Sequence, residues 1–140
     1  MSQPTSFRLP PELVKRIDAE AAQRGMTMTR LVSSLLDEGL KTGRFPGVVY
    51  RDGPTGRRAA LAIGPDVWEV VRAVRHAPGM GEARVKRVAR ESGLPEGLIH
   101  VAIDFAAAYP DEVEARIRLD EEIAADLRER IARRERLIGG

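Results

Sequence analysis

Apolar residues recur every three or four positions over most of the chain, which is the spacing of amphipathic helices. Prolines and glycines divide this pattern into helices over about 11–24, 28–41, 67–76, 82–91, 95–108 and 111–137. Residues 5–9 instead alternate polar and apolar side chains, and two short apolar runs at 48–51 and 57–63 flank a turn rich in Gly and Pro. The sequence therefore predicts a mainly α-helical protein with a short N-terminal strand and a β-hairpin.

The amino-acid composition limits the classes of protein to which the chain can belong. The chain of 140 residues is 43% hydrophobic but only 4% aromatic, so its core must be aliphatic. It contains no cysteine and two histidines, His76 and His100, which predicts neither a disulfide, a bound metal nor another cofactor. No apolar run is long enough for a membrane span or signal peptide, so we expect a cytoplasmic protein without membrane contact.

Residues 1–44 predict a strand followed by two helices. Prolines 10 and 11 suit the first turn of a helix, Gly25 suits a helix C-terminus, and Thr27 suits the N-cap of the next helix. Residues 42–47, rich in Gly and Pro, predict a linker. A lone strand leaves both edges unpaired and 44 residues make a small core, so we expect a homodimer whose N-terminal strands pair as a ribbon.

The segments at residues 5–13 (TSFRLPPEL) and 25–32 (GMTMTRLV) resemble the ribbon–helix–helix repressors. The resemblance implies that the paired strands enter the major groove of operator DNA, where outward-facing Ser6 and Arg8 would contact base edges. It also implies that the start of the second helix holds a backbone phosphate, through Thr27, Met28, Thr29 and Arg30. A ribbon that only dimerises, with a solvated Arg8, is the alternative.

Residues 45–110 have the spacing of a helix-turn-helix, with Gly93 in the turn and apolar residues in the second helix. The hairpin upstream could serve as a wing. The second helix, over about 95–108, has no Lys or Arg but carries Glu96 and Asp104, which a polyanion would repel. We therefore expect a winged helix-turn-helix-like domain whose second helix packs against protein instead of reading bases.

Three segments of this region, at 49–58 (VYRDGPTGRR), 64–70 (GPDVWEV) and 109–113 (YPDEV), are similar to a helix-turn-helix-like domain of prokaryotic antitoxins. Together with a ribbon–helix–helix front end, the similarity is to the VapB-type antitoxins. It implies that the protein binds a nuclease toxin of the PIN type.

Residues 111–140 predict a long amphipathic helix. Residues 111–126 carry seven acids and two arginines, whereas residues 128–140 carry five arginines and two acids, an order that suits the helix dipole. An exposed apolar stripe could lie in a partner's groove, and an arginine could bind the active-site carboxylates of a PIN nuclease. The candidate toxin-binding residues are Ile117, Ile123, Leu127, Ile131, Arg133, Arg134 and Arg136. A helix that only packs against its own chain is the alternative.

No arrangement of residues predicts catalysis. The turn at residues 53–56 lacks the Gly-Lys-Ser/Thr ending of a phosphate loop, and the histidines have no nucleophile at a suitable spacing. We therefore expect no enzyme. The expected function is that of an antitoxin that neutralises a PIN-like ribonuclease and, as a dimer, represses its own operon; the alternative is a free-standing ribbon–helix–helix repressor without a toxin.

Overall fold

The computed structural model describes residues 2–139 and divides into two compact units, which separate between Gly43 and Arg44. The first unit contains helix α1 (Pro11–Arg24) and all but the last residue of helix α2 (Met28–Arg44), preceded by residues 2–10 without regular secondary structure. Gly25 ends α1 with a left-handed φ of 65°, where a side chain would be strained. The hydroxyl of Thr27 accepts the N–H of Arg30 at 3.2 Å, which confirms Thr27 as the N-cap of α2.

Two predictions for this region are wrong for the single chain. Residues 5–9 form no strand and are exposed, because a strand needs a neighbour for its backbone hydrogen bonds and the described chain supplies none there. Residues 42–44 continue α2 instead of forming a linker, and the Thr42 hydroxyl donates to the Glu38 carbonyl one turn earlier at 2.9 Å. Composition alone predicted flexibility where the helix continues.

The second unit consists of a hairpin and four helices. Strands β1 (Val48–Arg51) and β2 (Arg58–Leu61) pair antiparallel, with Val48 opposite Leu61. The helices that follow are α3 (Val67–His76), α4 (Glu82–Ser92), α5 (Glu96–Ala108) and α6 (Pro110–Ile138). The predicted hairpin and helices are confirmed, and the chain is mainly helical.

The core of the second unit lies between α3, α5, the hairpin and the beginning of α6. Its largest fully buried side chains are Phe105, Leu61, Ile99, Val67 and Val70. Phe45, predicted to lie in a linker, meets Phe105 edge to face with ring centroids 5.6 Å apart. This hydrophobic contact explains why residues after α2 are ordered against the second unit's core, where the Gly- and Pro-rich composition predicted a loop.

Candidate functional site

The N-terminal segment separates its side chains by character. Phe7 and Leu9 line an apolar hollow of about 330 Å³ together with residues of α1 and α2, whereas Ser6 and Arg8 are exposed and do not line it. The predicted alternation is therefore present in the single chain even without a strand. Phe7 is nevertheless 74% exposed, because only one side of it meets the helices. In this segment the Arg8 side chain is exposed to solvent, and the apolar face formed by Phe7 and Leu9 is only partly covered.

The apolar face continues along both helices of the first unit. Only Ala21 and Leu31 are buried in α1 and α2. Large apolar side chains of the same unit stay exposed, namely Phe7, Leu9, Leu13, Val14, Met28, Leu35, Leu36 and Leu40. A contiguous apolar surface of this kind on a two-helix unit marks an interaction surface.

The start of α2 has the geometry of an anion site. Thr27, Met28, Thr29 and Arg30 are all exposed, and the Thr27 cap satisfies the N–H of Arg30. The N–H groups of Met28 and Thr29 precede the first position at which an intrahelical acceptor exists. These groups, with the positive helix end and the Arg30 side chain, could hold one phosphate oxygen.

Helices α4 and α5 follow one another across a short turn in which Gly93 has a φ of 76°. The apolar face of α5 is fully buried at Ile99, Ala102 and Phe105, so this face packs against the core of its own unit, and the absence of base contacts from the opposite face stays a prediction. Basic side chains of α4 are also held by protein. Arg84 donates to the carbonyls of Gly79 and Arg75, and Arg87 pairs with Glu91 at 2.9 Å.

Asp66 joins the hairpin to α3. Its carboxylate accepts the Nε–H of Arg58 at 2.8 Å and the indole N–H of Trp68 at 3.1 Å. It also forms a capping box with Glu69, whose carboxylate accepts the backbone N–H of Asp66. The sequence predicted no role of its own for Asp66. The Asp-x-x-Glu spacing before an apolar run was the signal that could have identified the cap.

A second set of contacts holds the hairpin against α6. The Tyr50 hydroxyl donates to the Glu112 carboxylate at 2.7 Å, and Arg116 donates to the backbone carbonyls of Thr55 and Arg57. Between these contacts lies a cavity of about 300 Å³, lined in part by Arg58, Trp68 and Arg116. The Arg116 guanidinium donates to carbonyls of the loop between β1 and β2, so it holds the hairpin against α6. The cavity therefore lies within the contact between the hairpin and this helix.

Helix α6 changes environment along its length. Val113 and Ile117 are buried in the core, and Asp120 pairs with Arg72 on α3. Beyond that point Ile123, Leu127 and Ile131 are 44%, 53% and 48% exposed. Ile117 therefore does not belong to the predicted toxin-binding face, because it packs within its own unit.

The three candidate arginines of the tail point in different directions. Arg134 lies seven residues after Leu127, about 20° away around the helix, and so shares its face. Arg136 lies nine residues after Leu127, on the opposite side of the helix. Arg133 pairs with Glu129 one turn earlier. Of the three, Arg134 alone can act together with the apolar stripe.

The described residues hold no group of three or more His, Asp or Glu side chains that could bind a metal ion. No helix within residues 2–139 is long and apolar enough to cross a membrane. Comparison with known proteins found no matching family model, no similar curated protein and no similar solved structure.

Proposed function

We propose that this protein is a dimeric, DNA-binding antitoxin of a type II toxin–antitoxin system. The observation that carries the DNA-binding half is the first unit, which exposes apolar side chains of both helices beside an N-terminal segment carrying Ser6 and Arg8. A second copy would cover those side chains and pair the two N-terminal segments as antiparallel strands. The paired segments fit a major groove.

The toxin-binding half of the proposal depends on the tail. The stripe of Ile123, Leu127 and Ile131 is exposed, and Arg134 lies on the same face. A PIN-like ribonuclease supplies a groove and a group of carboxylates, and these would bind an apolar helix and an arginine. Binding to that toxin would remove the stripe from water.

The first experiment is co-expression of the chain with the product of the neighbouring open reading frame, with a tag on one chain only. A stoichiometric complex in size-exclusion chromatography with light scattering, and toxicity of the neighbour expressed alone, are the expected results. If the protein forms no complex with the neighbouring gene product but binds its own promoter region, it would instead be a free-standing repressor.

The DNA contact has its own test. Arg8→Ala should weaken operator binding by about 1–3 kcal/mol, or about 5- to 150-fold, if Arg8 forms a bidentate contact with guanine. Lys15→Ala is the matched control, because Lys15 is an exposed base on α1 that pairs with Glu12 outside the proposed interface. Equal affinities of the two variants in a gel-shift series would exclude the ribbon as the reading element.

A further inference from the structure

The end of α6 contributes no residue to the hydrophobic core of the second unit. After the Arg72–Asp120 pair, residues 121–138 continue the helix for about 27 Å. Its apolar side chains, Ile123, Leu127 and Ile131, are about half exposed, and the last two, Leu137 and Ile138, are 87% and 73% exposed. An isolated helix of this length is marginal in water, so a surface that covers the stripe would stabilise it.

The order of charges indicates what that surface is. The helix dipole acts over the first and last turns only, so it does not account for Glu121, Glu122 and Asp126 in the middle of α6. Pairs within the helix join Asp126 to Arg130 and Glu129 to Arg133. Within residues 2–139, the charged side chains of this segment that take part in no ion pair are Glu121, Glu122, Arg128, Arg134, Glu135 and Arg136, which leaves two acids at its start and a surplus of arginine over acid towards its end.

We propose that the free segment of α6, residues 121–138, pairs in antiparallel orientation with the same segment of a second copy of this chain. An antiparallel pair places the acidic start of each segment beside the arginine-rich end of the other, whereas a parallel pair places like charges together. The same arrangement covers the two apolar stripes and brings Leu137 and Ile138 against the beginning of the partner segment. The segment begins after Asp120 because α3 occupies the helix surface before it.

The pairing is expected to be weak. Two helices of about five turns bury much less than the roughly 1,600 Å² of a standard stable interface. The pairing should therefore depend on protein concentration, and any protein that binds the stripe must displace it. The inference does not rest on the proposed function, because it uses only the exposed apolar stripe and the order of charges along α6.

Cysteine cross-linking of the full-length chain tests the orientation, since the natural sequence contains no cysteine. Ala124→Cys and Ile138→Cys variants, on the stripe side at opposite ends of the segment, are co-expressed and treated with a short bis-maleimide. The antiparallel pair brings position 124 beside position 138 of the other chain, while the two copies of position 138 lie about 21 Å apart along the helix axis. The expected result is a cross-linked heterodimer in several-fold excess over either self-linked product.

A matched pair of substitutions in the same cysteine variants separates pairing from accidental collision. Leu127→Glu should abolish the cross-link, whereas Ala125→Glu, which adds the same charge on the opposite side of the helix, should preserve it. Circular dichroism of both variants verifies that the chain remains helical. Efficient self-linking at position 138, equal loss in both variants, or cross-linking of neither pair would overturn the inference. Protection of the stripe only when the neighbouring gene product is present would also overturn it.

Discussion

Asp66 shows how a single side chain can hold two elements together. It is 8% exposed, and its carboxylate binds both Arg58 of β2 and the indole of Trp68 in α3. Its partners are eight and two residues away in sequence, one in a strand and the other in the helix that follows. The contact could not be predicted from local pattern, because it depends on where the hairpin folds back.

Removing this carboxylate should destabilise the second unit. Asp66→Ala deletes an N-cap and leaves the part-buried Arg58 without its partner, so we expect the free energy of unfolding to fall by about 3 kcal/mol. Asp52→Ala in the same hairpin is the control, because Asp52 is 74% exposed and its pair with Arg57 should contribute at most about 1 kcal/mol. Denaturant titration compares them, and equal losses would contradict the assigned role.

The Arg75–Glu114 contact joins α3 to α6 and gives the fold a dependence on pH. The Arg75 side chain donates a hydrogen bond that lowers the pKa of the Glu114 carboxyl below its ordinary value. Because this pKa is lower in the folded protein than in the unfolded chain, the contact stabilises the fold above the ordinary glutamate pKa. The stabilisation is lost as the pH falls through the lowered value.

We therefore expect Glu114→Gln to lower the melting temperature slightly at neutral pH and to have no effect in strong acid. Thermal unfolding followed from neutral to acidic pH measures the difference. Asp104→Asn is the control, since Asp104 is exposed and has no ion pair within residues 2–139. A difference between Glu114→Gln and the natural protein that stays constant with pH would exclude this contact as its cause.

Among the elements, α6 is one continuous helix whose two halves have different surroundings. Its beginning belongs to the core through Val113 and Ile117, while its end carries an exposed stripe. The periodicity of the sequence is the same in both halves, so it predicted a single stripe from Val113 to Ile138. Only the packing of α3 and α5 against the first half separates core residues from surface residues, and that information is not local.

Deleting residues 121–140 should leave the second unit folded. We expect its free energy of unfolding to change by less than about 1 kcal/mol, because those residues make no core contacts in the described chain. Ile117→Ala, on the same helix within the core, should cost about 2–5 kcal/mol. Unfolding by denaturant distinguishes the two, and a deletion as damaging as Ile117→Ala would place the tail in the core.

For the whole molecule, the sequence predicted helices better than it predicted associations. Prolines and glycines end helices through local sterics, so most boundaries follow from the residues themselves. The strand expected over residues 5–9 depends on hydrogen bonds from another strand, and a single chain cannot supply them. The first unit leaves apolar side chains in solvent, and a dimer that covers them stays a prediction.

Self-association through these side chains is testable in the full chain. Leu13→Asp should weaken the dimer by more than tenfold, because a carboxylate would replace a side chain lining the apolar hollow. Lys15→Asp, on an exposed position of the same helix, should leave the dimer intact. Sedimentation across a range of concentrations gives both dissociation constants, and identical constants would move the interface elsewhere.

The free end of α6 also sets where the chain is first cut. It carries five arginines between residues 128 and 136, on a helical segment that adds no residue to the hydrophobic core and can open by local unwinding. Trypsin should therefore remove this end long before it reaches the core of the second unit. A paired segment should unwind less often than a free one. The half-life of the intact chain in trypsin should therefore lengthen as the protein concentration rises, so that the rate of cleavage measures the fraction of segments that are paired.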